Sequence, residues 1–190
     1  PFPLNFTVFN FENVTGTNFN DIITGDAQNN VLIGNAGNDR FITSRGNDSI
    51  NGGQGTDTAN YSTLGQVITL GPTGVVTKAA GLGTDTLFQV ETIIASNLLS
   101  DTIDASTASA TVTGIVANLT TNTLTANGVG VPFPLNFTVF NFENVTGTSF
   151  NDAITGDVQN NALIGGVGND TLGGSAGLDT LTGGTGADKF

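Results

Sequence analysis

The chain has no cysteine, no histidine, no methionine and no tryptophan, and only four of its 190 residues are basic. Without cysteine there is no disulfide, no thiolate metal site and no cysteine nucleophile. Without histidine, imidazole-based triads and histidine-ligated zinc are excluded. The four bases, Arg40, Arg45, Lys78 and Lys189, face sixteen acids, for a net charge of −12. Nothing is available to neutralise phosphates, so nucleic acid is not a partner. The apolar runs fall far short of a membrane span, and no signal-peptide pattern is present. The lack of methionine even at position 1 leads us to expect a piece of a longer polypeptide.

What is abundant is turn chemistry. Glycine alone accounts for 27 residues, and asparagine, threonine and aspartate are similarly frequent. The hydrophobic share of 37% still provides a core. This balance fits a turn-rich all-β or repeat protein. Repetition is indeed explicit. The segment PFPLNFTVFNFENVTGT at 1–17 returns unchanged at 132–148, and about two thirds of the positions in the two copies are identical. The chain is one 131-residue unit followed by the opening of the next, which points to a tandem array.

A period of nine runs inside that unit. Positions 12, 21, 30, 39, 48 and 57 read Glu12, Asp21, Asn30, Asp39, Asp48 and Asp57. Two residues further on stand Val14, Ile23, Leu32, Phe41, Ile50 and Ala59. The second copy repeats the beat with Glu143, Asp152, Asn161, Asp170, Asp179 and Asp188, followed by Val145, Ile154, Leu163, Leu172, Leu181 and Phe190. The preceding turns share a form: GNAGND at 34–39, GGQGTD at 52–57, GGVGND at 165–170 and GGTGAD at 183–188. TSRGND at 43–48 and GSAGLD at 174–179 keep only part of it, and GTNFND at 16–21 and GDAQNN at 25–30 depart further.

These turns resemble the haemolysin-type, or RTX, calcium-binding nonapeptide G-G-x-G-x-D-x-U-x, over residues 7–61 and 138–190. The resemblance implies an all-β, right-handed parallel β-solenoid with calcium in its turns. The residue pattern agrees. A three-residue strand cannot stand alone and must stack on copies of itself with U inward. Two nonapeptides make one coil, so each turn lies over the turn 18 residues earlier. Stacked carboxylates repel unless a hard cation accepts them together with backbone carbonyls. The metal ligands implied are Asp21, Asp39, Asp48, Asp57, Asp152, Asp170, Asp179 and Asp188, with Ca2+ as cofactor. Asp39/Asp57 and Asp170/Asp188 sit in the most complete turns. Asn30 and Asn161 read as structural ladder residues, and Glu12 and Glu143 as edge carboxylates rather than ligands.

Between the two β-roll blocks, 1–61 and 132–190, the beat is lost over 62–131, but the chain stays rich in β-branched residues. VITL at 67–70, GVV at 74–76, VETII at 90–94, ATVTGIVANL at 110–119 and NTLTA at 122–126 read as strands, and GPTG at 71–74 as a turn. GTDT at 55–58 recurs at 83–86, VETI at 90–93 echoes FENV at 11–14, and SDTID at 100–104 echoes NDIIT at 20–24. We expect a wider parallel β-helix segment with longer rungs and loops. Lys78, Asp85, Glu91, Asp101 and Asp104 stand outside the ladder. The acids repeat in register, whereas an active site needs a singular constellation, so we expect no enzyme. The function expected is an extracellular, calcium-binding structural repeat protein of a surface layer, sheath, fibre or adhesin. Its partners would be further copies of itself and cell-surface polysaccharide. The alternatives are a secretion or folding module of an enzyme or toxin, and an ice- or carbohydrate-binding solenoid. The exposed part of the aromatic runs, Phe2, Phe6, Phe9 and Phe11 or Phe133, Phe137, Phe140 and Phe142, would serve inter-chain contact.

Overall fold

The structure, a computed structural model, describes residues 5–7, 11–98, 100–108, 111–128 and 135–190. Every regular element among them is a β-strand. The chain forms two compact units, one built on Pro1–Ile68 and Gly74–Leu98, the other on Thr69–Thr73 and Leu99–Phe190.

In the first unit the nine-residue beat sets the strands β1 (Asn5–Thr7), β2 (Asn13–Thr15), β3 (Ile22–Thr24), β4 (Val31–Ala36), β5 (Arg40–Ile42), β6 (Ser49–Gln54) and β7 (Thr58–Asn60). Successive strands alternate between two sheets. The order β1–β3–β5–β7 forms one sheet and β2–β4–β6 the other, all parallel. The register places like over like: Ile23 beside Phe41 beside Ala59, and Val14 beside Leu32 beside Ile50. These inward residues are buried, while their strand neighbours are largely exposed or half-buried. Each rung thus offers one apolar side chain to a shared column, and stability comes from stacking. Glycine is required where turns meet. Gly55 has φ +143, and a Cβ there would collide with the carbonyl oxygen of Gly37 in the coil before.

The stretch between the repeats extends this plan with hairpins. It contains β8 (Ile68–Leu70), β9 (Val75–Lys78), β10 (Gly83–Phe88) and β11 (Thr92–Ile94). β10 continues the parallel stack on β6, with Leu87 beside Ile50, and β11 continues it on β7, with Ile93 beside Ala59. β9 runs antiparallel to β10.

The second unit contains β12 (Thr102–Asp104), β13 (Val112–Asn118), β14 (Thr123–Gly128), β15 (Leu135–Phe140), β16 (Asn144–Thr146), β17 (Ala153–Thr155), β18 (Ala162–Val167), β19 (Thr171–Gly173) and β20 (Thr180–Thr185). The last residues of β8 lie beside β12, and β12–β16–β18–β20 stack in parallel. β13–β17–β19 form a second parallel row, while β13, β14 and β15 make an antiparallel meander.

The parallel stacking expected from the repeats is therefore present in each unit, in the β-roll rungs of both copies. The added length of the middle differs from the wider parallel coils expected: it goes into antiparallel hairpins set beside parallel rungs. Alternating β-branched residues specify a strand but not its direction, and the short turns at 79–82 and 119–122 reverse the chain. Of the aromatic runs, Phe142 is buried and Phe11 is 63% exposed, while Phe2, Phe9 and Phe133 lie outside the described residues. Phe190, on an inward position of the beat, is exposed.

Candidate metal centre

The sixth residue of each turn is tied to the coil below it by one carboxylate oxygen. The Asp21 N–H donates to Asp39 Oδ1 (2.8 Å) and the Asp39 N–H to Asp57 Oδ1 (2.7 Å). On the other edge the Asn30 N–H donates to Asp48 Oδ1 (2.9 Å). The second copy repeats this from Asp152 to Asp170 (2.9 Å), Asp170 to Asp188 (3.0 Å) and Asn161 to Asp179 (2.9 Å). An outer ladder of asparagine runs beside it, with the Asn38 N–H donating to Asn20 Oδ1 and the Thr56 N–H to Asn38 Oδ1. Both ladders hold the stack by ordinary hydrogen bonds, and the second carboxylate oxygen is left to other work.

That second oxygen sorts the turns. Asp39 Oδ2, Asp57 Oδ2 and Asp170 Oδ2 are buried and have no hydrogen-bond partner. These three belong to turns 34–39, 52–57 and 165–170. Each oxygen faces a backbone carbonyl across the space that a glycine leaves by lacking Cβ. At Gly34 that space is lined by Asp39 Oδ2 and the Gly52 carbonyl, at Gly52 by Asp57 Oδ2 and the Gln89 carbonyl, and at Gly165 by Asp170 Oδ2 and the Gly183 carbonyl. A buried carboxylate oxygen without a donor costs on the order of 1–3 kcal/mol or more. Oxygens converging with no donor among them are a hard cation's ligand set. Among the described residues no three acidic side chains converge; these cradles combine few carboxylates with main-chain oxygens. The residues present therefore fit calcium.

Burial also makes Asp39 and Asp57 reluctant to ionise. It pushes Asp57 up to about 6, against the pull of the Asp39 N–H and with help from the charges of Asp39 and Glu91. Burial likewise raises Asp39 and Asp152, though backbone donors oppose it at both.

In the other turns the sixth residue finds hydrogen-bond partners or lies nearer the surface. Asp21 accepts the Thr17 N–H (2.5 Å) and hydroxyl (2.9 Å) at Oδ2, and Asp152 accepts those of Thr148 (2.7 and 3.1 Å). Asn30 Oδ1 accepts the Asp26 N–H, and its amide donates to the Phe11 carbonyl (3.4 Å) and Asp26 Oδ1 (3.3 Å). The Asn161 amide reaches the Glu143 carbonyl at 2.9 Å. At both asparagines an amide nitrogen thus lies against the preceding coil's carbonyl. Asp179 and Asp188 are half-buried, and each Oδ2 lines the space at its own turn's first glycine, Gly174 and Gly183. Asp48 Oδ2 instead meets the Lys78 ammonium at 3.4 Å.

The ladder is longer than the nine-residue beat shows. The Asp48 N–H donates to Asp85 Oδ1 (3.0 Å), the Asp57 N–H to Glu91 Oε2 (2.8 Å) and the Asp101 N–H to Glu143 Oε2 (3.0 Å). Asp85, Glu91 and Asp101 therefore do the work of the sixth turn residue, although they fall outside the beat. The recurrences GTDT, VETI and SDTID carry the signal, since they align these acids with Asp57, Glu12 and Asp21. Glu143 is a buried edge carboxylate, pushed up to about 7 by burial first and then by the charges of Asp101 and Asp157. Its counterpart Glu12 is exposed.

Residues 15–49, 33–61, 142–172 and 165–190 match the family model of the RTX calcium-binding nonapeptide repeat, in four copies that together span just over half of the chain. No curated protein matches the chain.

Proposed function

The chain belongs to the RTX calcium-binding nonapeptide-repeat family, and from that premise we propose that it is a structural module of an extracellular repeat protein whose coils are completed by calcium. The observation that carries the reading is the set of three donorless, buried oxygens, Asp39 Oδ2, Asp57 Oδ2 and Asp170 Oδ2, in turns that hold or approach the full motif. Bound calcium supplies the positive charge these oxygens need. The chain's own part is to aim the carboxylates by their Oδ1 bonds and to clear the space with glycine. Asp188 and Asp179 would serve in the same manner at their levels.

A role in an array rather than in catalysis is supported by the recurrence of a 131-residue unit nearly unchanged, with its acids in register. A net charge of −12 opposes compaction without counter-ions, which suits a protein that folds where calcium is abundant. The absence of cysteine is compatible with export without disulfides. Electron microscopy of the native repeat protein tests the structural part: rods or lattices in millimolar calcium that dissolve in EGTA support it. Isolated compact particles in calcium, joined to a catalytic domain, would replace it with the secretion-module reading.

A further inference from the structure

One level of the first unit is filled by the chain itself. Lys78 is 2% exposed, and its ammonium has three donors. All three are used: Ser44 carbonyl at 2.8 Å, Asp85 Oδ1 at 2.6 Å and Asp48 Oδ2 at 3.4 Å. Asp48 and Asp85 are consecutive members of one ladder, since the Asp48 N–H donates to Asp85 Oδ1. The ammonium thus contacts the second oxygen of one turn aspartate, the carboxylate of the next, and a turn carbonyl. Two of these, a turn aspartate's second oxygen and a main-chain carbonyl, are the oxygen types that meet, donorless, at Asp39, Asp57 and Asp170.

The local sequence agrees. The turn 43–48 reads TSRGND, with Thr43 and Ser44 where the motif has its two glycines. The lysine arrives on β9, the antiparallel hairpin strand that interrupts the repeat, where Lys78 pairs with Gly83 of β10. The same hairpin carries Asp85, whose Oδ2 accepts the hydroxyl of the fully buried Tyr61 at 2.9 Å. An isolated buried ammonium is costly, and it persists where opposing charges and acceptors surround it, as here.

We propose that Lys78 is a tethered cation occupying a latent divalent-cation site between Asp48 and Asp85, so that this level closes without metal. The inference rests on the calcium reading of the other turns. Substituting Lys78→Gln would leave Asp48 and Asp85 facing each other and open the level to calcium.

Tyr61 is the chain's single tyrosine, and there is no tryptophan. Terbium bound between Asp48 and Asp85 would sit beside its ring and be excited through it. The test compares wild type with K78Q by tyrosine-excited terbium emission and by calorimetric counting of calcium. The expected result is one additional calcium per chain in K78Q and a severalfold gain in tyrosine-sensitised emission. Adding Asp85→Asn to K78Q should abolish both gains. K78Q should lose stability in EGTA and recover it in saturating calcium, whereas D85N, which keeps the lysine but loses a carboxylate, should not recover. Equal calcium counts in wild type and K78Q would overturn the proposal, as would a K78Q chain that stays unfolded in saturating calcium. Wild type that binds no calcium would instead refute the reading beneath it.

Discussion

Replacing Asp57 by asparagine separates the cost of a buried charge from the benefit of its cation. Asp57 Oδ1 accepts the Asp39 N–H at 2.7 Å, and an amide oxygen can keep that bond. Oδ2, which has no donor, would become an NH2 aimed at the Gln89 carbonyl, which can accept from it. Burial raises Asp57 from 3.8 to about 6. A shift of this size is worth at most about 3 kcal/mol, and about 1–2 kcal/mol once solvent screening at the turn is allowed for. The sign follows from linkage. A carboxyl raised on folding contributes stability that is fully present below its unfolded value near 4 and is lost as pH rises through about 6. In EGTA at pH 7, Asp57→Asn should therefore be more stable than wild type, and the difference should vanish near pH 4. In saturating calcium the order should reverse, because the variant has lost a ligand. Urea midpoints at both pH values, with and without calcium, read all of this. A variant less stable than wild type in EGTA at pH 7 would refute the reasoning, since Asp57 would then be satisfied without metal.

Two further substitutions probe the same physics. Gly34→Ala places a Cβ against Asp39 Oδ2 and the Gly52 carbonyl, whereas Gly173→Ala meets nothing within 4 Å; the first should lose calcium binding and on the order of 2–4 kcal/mol, and the second should change calorimetric calcium counts and thermal midpoint little. Glu143→Gln keeps an acceptor for the Asp101 N–H while removing a charge that burial resists up to about 7. The calcium-free variant should gain stability over wild type as pH rises from about 4.5 through 7, and no gain across that range by urea titration would contradict the assigned cause.

The repeated part of the fold is legible because one rule acts at every rung. A single apolar residue every nine positions must face the stack, and Leu32 can do so only if it lies beside Val14 and Ile50. The middle obeys no such rule. Its strands are visible as β-branched runs, but hydrophobic alternation is the same for either strand direction, so the pairing of β9 with β10 and of β13 with β14 needs the structure. The site shows the same division. A turn's glycines and aspartate announce an oxygen-lined space, yet whether its second oxygen is left without a donor depends on one neighbour. Thr17 and Thr148 close Asp21 and Asp152 by a hydroxyl two positions into turns that keep their aspartate. Lys78 reaches Asp48 from 30 residues away along a hairpin, which no local motif reveals. Asp85 and Glu91 could have been placed in the ladder from their tetrapeptide recurrences, because a recurring turn sequence in a solenoid occupies a recurring turn.

The most direct test of calcium-completed coils is far-ultraviolet circular dichroism of the wild-type chain as calcium is added from an EGTA-cleared baseline, with bound calcium counted in parallel by calorimetry. β-structure should rise cooperatively over roughly 10⁻⁴–10⁻³ M calcium, magnesium should substitute poorly, and the ions counted should be fewer than the eight turn aspartates. A β spectrum that is the same in EGTA and in calcium, with no ion bound, would contradict the account.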